Sequence, residues 1–174
     1  SYVELSGMTN AYDVFLLTFN NVTLSVDERD LRLRFLESGT VNETANYDYA
    51  YNVLDATTNS EDPVGTSNQT SIDLTLNTGT GTSEMVNGFV YIFMSQISSE
   101  YTYTTMETSI YAHTARGRGI HGGGIFTQQS TVNGLRLLNL SGANILTGTF
   151  NLYGLWISFQ SKILRPFLFI YYSY

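Results

Sequence analysis

Cysteine is absent from this chain, which excludes disulfides and thiolate metal sites. Lysine occurs once, at Lys162, and the eight basic residues are scattered along 174 positions. With a formal net charge of −7, this excludes the clustered Lys and Arg with which a nucleic-acid binder displaces counterions. Glu and Ala are thin, so helix formers are scarce. The longest apolar run, Ile163 to Tyr174, is broken by Arg165 and Pro166 and falls short of the roughly 20 residues of a membrane-spanning helix. The opening residues carry no basic n-region and no apolar h-region, so no signal peptide is expected.

What remains is β-forming. The chain holds 22 Thr, 17 Ser, 13 Tyr and 10 Phe, and β-branched and aromatic enrichment punctuated by glycine predicts an all-β protein. The length suits one domain able to bury roughly 70% of its unfolded surface.

Periodicity places the strands. Residues 12–22 and 88–97 are apolar on both faces, the mark of strands covered on both sides. Leu31, Leu33 and Phe35 alternate with Arg32 and Arg34, which directs the apolar set inward and the arginines outward; this strand is expected to pair with 12–22. Tyr47, Tyr49 and Tyr51 share one face of the next strand. Residues 55–70 read as a long polar loop, and residues 71–76 and 101–113 as strands. Residues 116–124 hold five glycines in nine positions and read as irregular backbone. Residues 131–155 read as a hairpin turning at Ser141-Gly142-Ala143-Asn144, with Leu146, Phe150 and Leu152 on its apolar face. Nine or ten short strands and no helix predict a jelly-roll-like antiparallel β-sandwich.

Each candidate site has a plain structural counterpart. His121-Gly122-Gly123-Gly124 matches an oxyanion-hole string, but the G-x-S-x-G elbow that accompanies it is missing. His113 and His121 lie eight residues apart without carboxylates at ligand spacing, and Glu61, Asp62 and Asp73 lack a calcium-loop order. No metal or cofactor is expected. Asp48, Asp55, Glu100 and Glu107 are available to a glycan hydrolase, which requires two carboxylates across a cleft. Four N-x-[ST] sequons, at Asn21, Asn42, Asn68 and Asn139, match the number chance supplies in so Asn-, Ser- and Thr-rich a chain. The tyrosine rows Tyr47/Tyr49/Tyr51 and Tyr101/Tyr103/Tyr111 fit a core, a subunit interface or a sugar-stacking platform.

The strings YDVFLLTFNNV, DLRLRFLESG, NYDYAYNVLD, GFVYIFM and VNGLRLLNLSGANILTGTFNLYGL, in this order, resemble a β-sandwich domain of tailed-bacteriophage virion structural proteins. Such domains occur in tail-fibre, tail-associated and head-decorating proteins. The most specific match is Val132, Gly134–Leu137, Ser141, Gly142, Asn144, Ile145, Thr147–Phe150 and Leu152–Gly154. The resemblance implies a non-enzymatic building or adhesion module without catalytic residues. It also implies a virion location, with copies of itself and other virion proteins as partners and a host-surface glycan as a further contact. Chains of this kind end near the L-Y-G string. Here residues 1–155 form the expected sandwich, and residues 156–174 an apolar extension expected to contact neighbouring subunits through Phe167, Phe169, Tyr171 and Tyr172. The alternative is a carbohydrate-binding module using Tyr47, Tyr49, Tyr51, Tyr101 and Tyr103.

Overall fold

The computed structural model describes residues 1–140 and 142–156, which form an all-β sandwich of two antiparallel sheets. In chain order the strands are β1 (Val3–Ser6), β2 (Val14–Leu24), β3 (Arg32–Glu37), β4 (Thr40–Val41), β5 (Tyr47–Asp55) and β6 (Ser60–Gln69). They continue with β7 (Ile72–Asp73), β8 (Val86–Phe93), β9 (Thr102–Ala112), β10 (Arg116–Phe126), β11 (Gly134–Leu138) and β12 (Ile145–Leu155). The smaller sheet has the order β1-β11-β3-β4, with β7 also paired to β3. The larger has seven strands in the order β12-β2-β8-β9-β10-β5-β6.

Alternation builds the core. β9 buries Thr102, Thr104, Met106, Thr108 and Ile110 and turns Tyr103, Thr105, Glu107, Ser109 and Tyr111 to solvent. β2 contributes Phe15, Leu17 and Phe19, and β3 answers from the other sheet with Leu33 and Phe35, all buried. Leu31, just before β3, is buried too, and Phe150 and Leu152 pack half-buried against this cluster. The Leu-Arg-Leu-Arg-Phe register therefore holds. Arg34 is nonetheless buried, because its guanidinium donates to the Thr70 carbonyl at 2.8 Å and meets Glu43 at 2.5 Å.

Two expectations about connection are overturned. β2 does not pair with β3; it lies between β12 and β8. Residues 131–155 are not a hairpin, since β11 pairs with β1 and β3 in one sheet and β12 with β2 in the other. Their connection is an arch tied to the β2–β3 loop. Asn144 N–H donates to Ser25 Oγ, Ser25 N–H donates back to the Asn144 carbonyl, and Asn139 donates to the Asp30 carbonyl. Turn-forming residues permit a reversal but do not say whether the second strand returns to the same sheet. Bulges between Ile145 and Thr147, and again before Thr149, also shift the face assignment: Leu146 is 62% exposed, and Ile145 packs on the core instead.

The polar segment 55–70 is mostly strand. Asp55 accepts the Thr57 and Thr58 N–H groups, Asn59 takes a positive φ of 52°, and the chain returns as β6 beside β5. β6 is an edge strand, so it needs backbone pairing on one side only and tolerates Pro63. The glycine-rich segment 116–124 is β10, paired on both sides with β5 and β9. None of its glycines has positive φ; Gly122, Gly123 and Gly124 serve close approach. A Cβ at Gly123 would stand 2.5 Å from the Thr104 carbonyl oxygen, and one at Gly124 would meet the Ile72 side chain. Thr104 Oγ also accepts the Gly124 N–H at 2.9 Å and donates to its carbonyl.

These spacings separate two alanine substitutions. Gly123→Ala should cost about 1–3 kcal/mol through steric strain. Gly117→Ala, whose Cβ would find its nearest neighbour at 3.9 Å, should stay within about 0.5 kcal/mol. Urea midpoints of the two variants check this, and equal losses would refute the close-approach role.

Candidate functional site

The seven-stranded sheet carries its functional potential on the face turned away from the core. β8 is apolar on both sides, but only Val86, Val90 and Ile92 are buried; Phe89, Tyr91 and Phe93 point outward and are half-exposed. The expectation that β2 and β8 are covered on both faces is not met among the described residues. Phe89 and Tyr91 meet edge to face at 5.7 Å, and Tyr91 stacks along Phe93 at 6.3 Å. Cross-strand register extends this row. Tyr91 lies opposite Leu16, Leu16 opposite Tyr153, and Phe93 opposite Tyr103. Tyr153 is 49% exposed and Tyr103 41%.

Beside the row the surface sinks into a shallow depression of about 770 Å³ lined by Phe89, Tyr153, Asn20, Asn87, Glu107 and His121, among others. Register explains the gathering: Phe89 faces Glu107 across β8–β9, and Glu107 faces His121 across β9–β10. Gly119, on the same outward row of β10 as His121, leaves the floor low. Flat aromatic rings, amides and one carboxylate can stack on and hydrogen-bond to a ligand that has both apolar faces and hydroxyl groups.

The tyrosines named from sequence divide sharply. Tyr47 and Tyr51 are buried and Tyr49 half-buried, all on the inner face of β5, so the core reading holds for Tyr47 and Tyr51, and burial removes any glycan contact by them. The Tyr47 hydroxyl accepts the Phe35 N–H and donates to the Asn42 carbonyl, each at 3.0 Å, bridging the two sheets; burial pushes its pKa up. Tyr101 and Tyr103 are exposed, and Tyr103 joins the outer row. Phe167, Phe169, Tyr171 and Tyr172 lie outside the described residues. Phe89, Tyr91, Phe93 and Tyr153 were missed as site residues, because an apolar residue on a two-faced strand reads as core. The signal that could have found them was the unbroken aromatic spacing 89, 91, 93.

The carboxylates are dispersed. Asp48 accepts the Asn68 N–H, and Asp55 is held down at about pKa 2 by the Thr57 N–H and by Arg118. Asp73 pairs with Arg32 in the smaller sheet, whereas Glu61 and Asp62 lie on β6 of the larger one. His113 meets Glu28 at 2.9 Å. Among the described residues no three His, Asp or Glu side chains are grouped to hold a metal ion. His121-Gly122-Gly123-Gly124 lies within the paired register of β10, not in a loop. None of the protein-family models, curated proteins or solved structures compared with the chain matches it.

A second cluster is electrostatic. Arg32 Nε stands 2.9 Å from Asp73 Oδ1, yet neither atom has an aligned hydrogen-bond partner, so the ion pair is a close contact without full satisfaction. Burial raises the Asp73 pKa to about 6, against the opposing pull of Arg32, and raises that of Asp30 as well. A folded-state pKa above the unfolded value means that the native protein binds the proton more tightly. The contribution of Asp73 is therefore fully present below its ordinary value of 3.8 and lost as pH rises through about 6. Conformational stability should decline between about pH 4 and pH 6.5, and Asp73→Asn should flatten that decline. Urea melts across the range check it; an unchanged slope in the variant would exclude Asp73 as the cause.

Proposed function

We propose that the chain is a non-catalytic structural subunit of a tailed-bacteriophage virion, of the tail-fibre, tail-associated or capsid-decorating kind. In this reading it assembles with copies of itself and other virion proteins. The observation that carries the contact role is the outer face of the seven-stranded sheet, where Leu16, Phe89, Tyr91, Phe93, Tyr103 and Tyr153 form one continuous half-exposed field. An aromatic field on a regular sheet is the composition of a recognition surface. The virion assignment itself rests on the ordered resemblance of the strand strings, which fall on β2, β3, β5, β8, β11 and β12. Mass spectrometry of particles purified from the producing culture tests it. The chain should be present at a fixed copy number per particle, and its absence from purified particles would overturn the reading.

The same face favours a second reading, a carbohydrate-binding module. Here the platform is Phe89, Tyr91, Phe93, Tyr103 and Tyr153 rather than Tyr47, Tyr49 and Tyr51. On a glycan array, retention should fall roughly tenfold in Tyr91→Ala, the loss of about 1.4 kcal/mol of stacking. Tyr47→Phe, which touches only the core, should leave the specificity unchanged. An array blank for the unmodified chain would reject this reading.

A further inference from the structure

The seven-stranded sheet has two edges of opposite character. An edge strand presents unpaired N–H and C=O groups, and proteins guard such edges with charge, proline or short length. β6 is guarded by Glu61, Asp62 and Pro63. β12 runs eleven residues, ILTGTFNLYGL, with no charge and no proline. In the smaller sheet β1 spans four residues, its Glu4 bound to Arg136, and β4 spans two. Among the described residues β12 is the long unguarded edge.

Its first turn is closed off. The Ser1 hydroxyl donates to the Ile145 carbonyl at 3.1 Å, Thr147 donates to the Asn21 carbonyl, and the two bulges bend this part away. From Thr149 to Leu155 the register with β2 is unbroken, giving about 24 Å of regular edge at ~3.4 Å per residue. On its inner face Phe150 and Leu152 are only half-buried, although they pack against the core. Just beyond lies Trp156, 61% exposed.

We propose that β12 pairs with β12 of a second copy of this chain, antiparallel about a two-fold axis, joining two seven-stranded sheets into one. Identical segments meeting antiparallel are self-complementary by symmetry. Side-chain parity requires inner residues to oppose inner ones, so Phe150 and Leu152 are covered by their counterparts and the sandwich core runs on across the axis. Charge selects the same edge. At −7 per chain, two copies meeting through β6 would bring two carboxylates each, Glu61 and Asp62, and Pro63 into the seam, whereas β12 brings no carboxylate. This deepens the self-assembly part of the reading above and rests on it. Particle composition tests the virion assignment independently.

The test uses the full 174-residue chain. Light scattering should give twice the chain mass of 19.4 kDa, and the double variant Thr149→Lys/Asn151→Lys should return the single mass with an unchanged circular-dichroism spectrum. The absence of native cysteine allows a clean second measurement with single cysteines at each position from 149 to 155. Opposed residues in an antiparallel pair have Cα atoms about 4.5–5.5 Å apart, within disulfide range. At least one of these positions should cross-link under mild oxidation, and it marks the axis. A monomeric unmodified chain would overturn the proposal, including one in which residues 157–174 occupy their own chain's β12. So would an assembly whose mass survives the lysine pair and which cross-links at none of these cysteines.

Discussion

The ladder through β10 is the constraint on which the larger sheet depends. Eleven residues, Arg116–Phe126, pair with β9 on one side, and nine of them pair with β5 on the other. Without that strand the group β12-β2-β8-β9 would lose β5 and β6, and with them Tyr47, Tyr51 and Val53 from the core. Such a double ladder needs little from its own side chains, since the backbone supplies the hydrogen bonds. What it needs is room, and Gly122, Gly123 and Gly124 provide it where a Cβ would strike Tyr51, the Thr104 carbonyl or Ile72. A segment whose composition argues against any regular structure is thus a central strand.

Unequal sheets then decide where the aromatic residues go. In the larger sheet β5, β8 and β9 each have one buried face and one turned outward. Tyr47 and Tyr51 fall on the inner parity and become cross-sheet packing, with Tyr47 stacked on Phe35 and tilted against Phe126 at 4.9 Å. Phe89, Tyr91 and Phe93 fall on the outer parity and become surface. Equivalent residue types thus take opposite roles through a single binary variable, the face on which a strand's odd positions lie.

The outer field and the β12 edge are contiguous, because Tyr153 belongs to both. Pairing across β12 would therefore place two aromatic fields side by side on one sheet and double the recognition surface without a new contact residue. The electrostatics lie elsewhere: Arg32, Asp73 and Asp30 gather where β7 meets β3, and Arg116 and Arg118 hold Asp55 at the end of β5. The larger sheet's outer face keeps Glu107 as the one acid in its depression.

The strand class, the absence of helix among the described residues and the inward set Leu31, Leu33 and Phe35 follow from the sequence by itself, because period-two alternation and β-branched and aromatic content act locally. So does the core reading of the first tyrosine row as one of its options. Pairing partners do not follow. Whether 131–155 closes as a hairpin or arches between sheets depends on the Ser25 and Asp30 contacts from over a hundred residues away. Whether 116–124 is loop or strand depends on the neighbours β5 and β9, which lend it hydrogen bonds that no composition records. The outer aromatic field is likewise a tertiary product. A strand apolar on both faces implies cover on both, and only the finished sandwich shows that the second sheet lies on one side of β8.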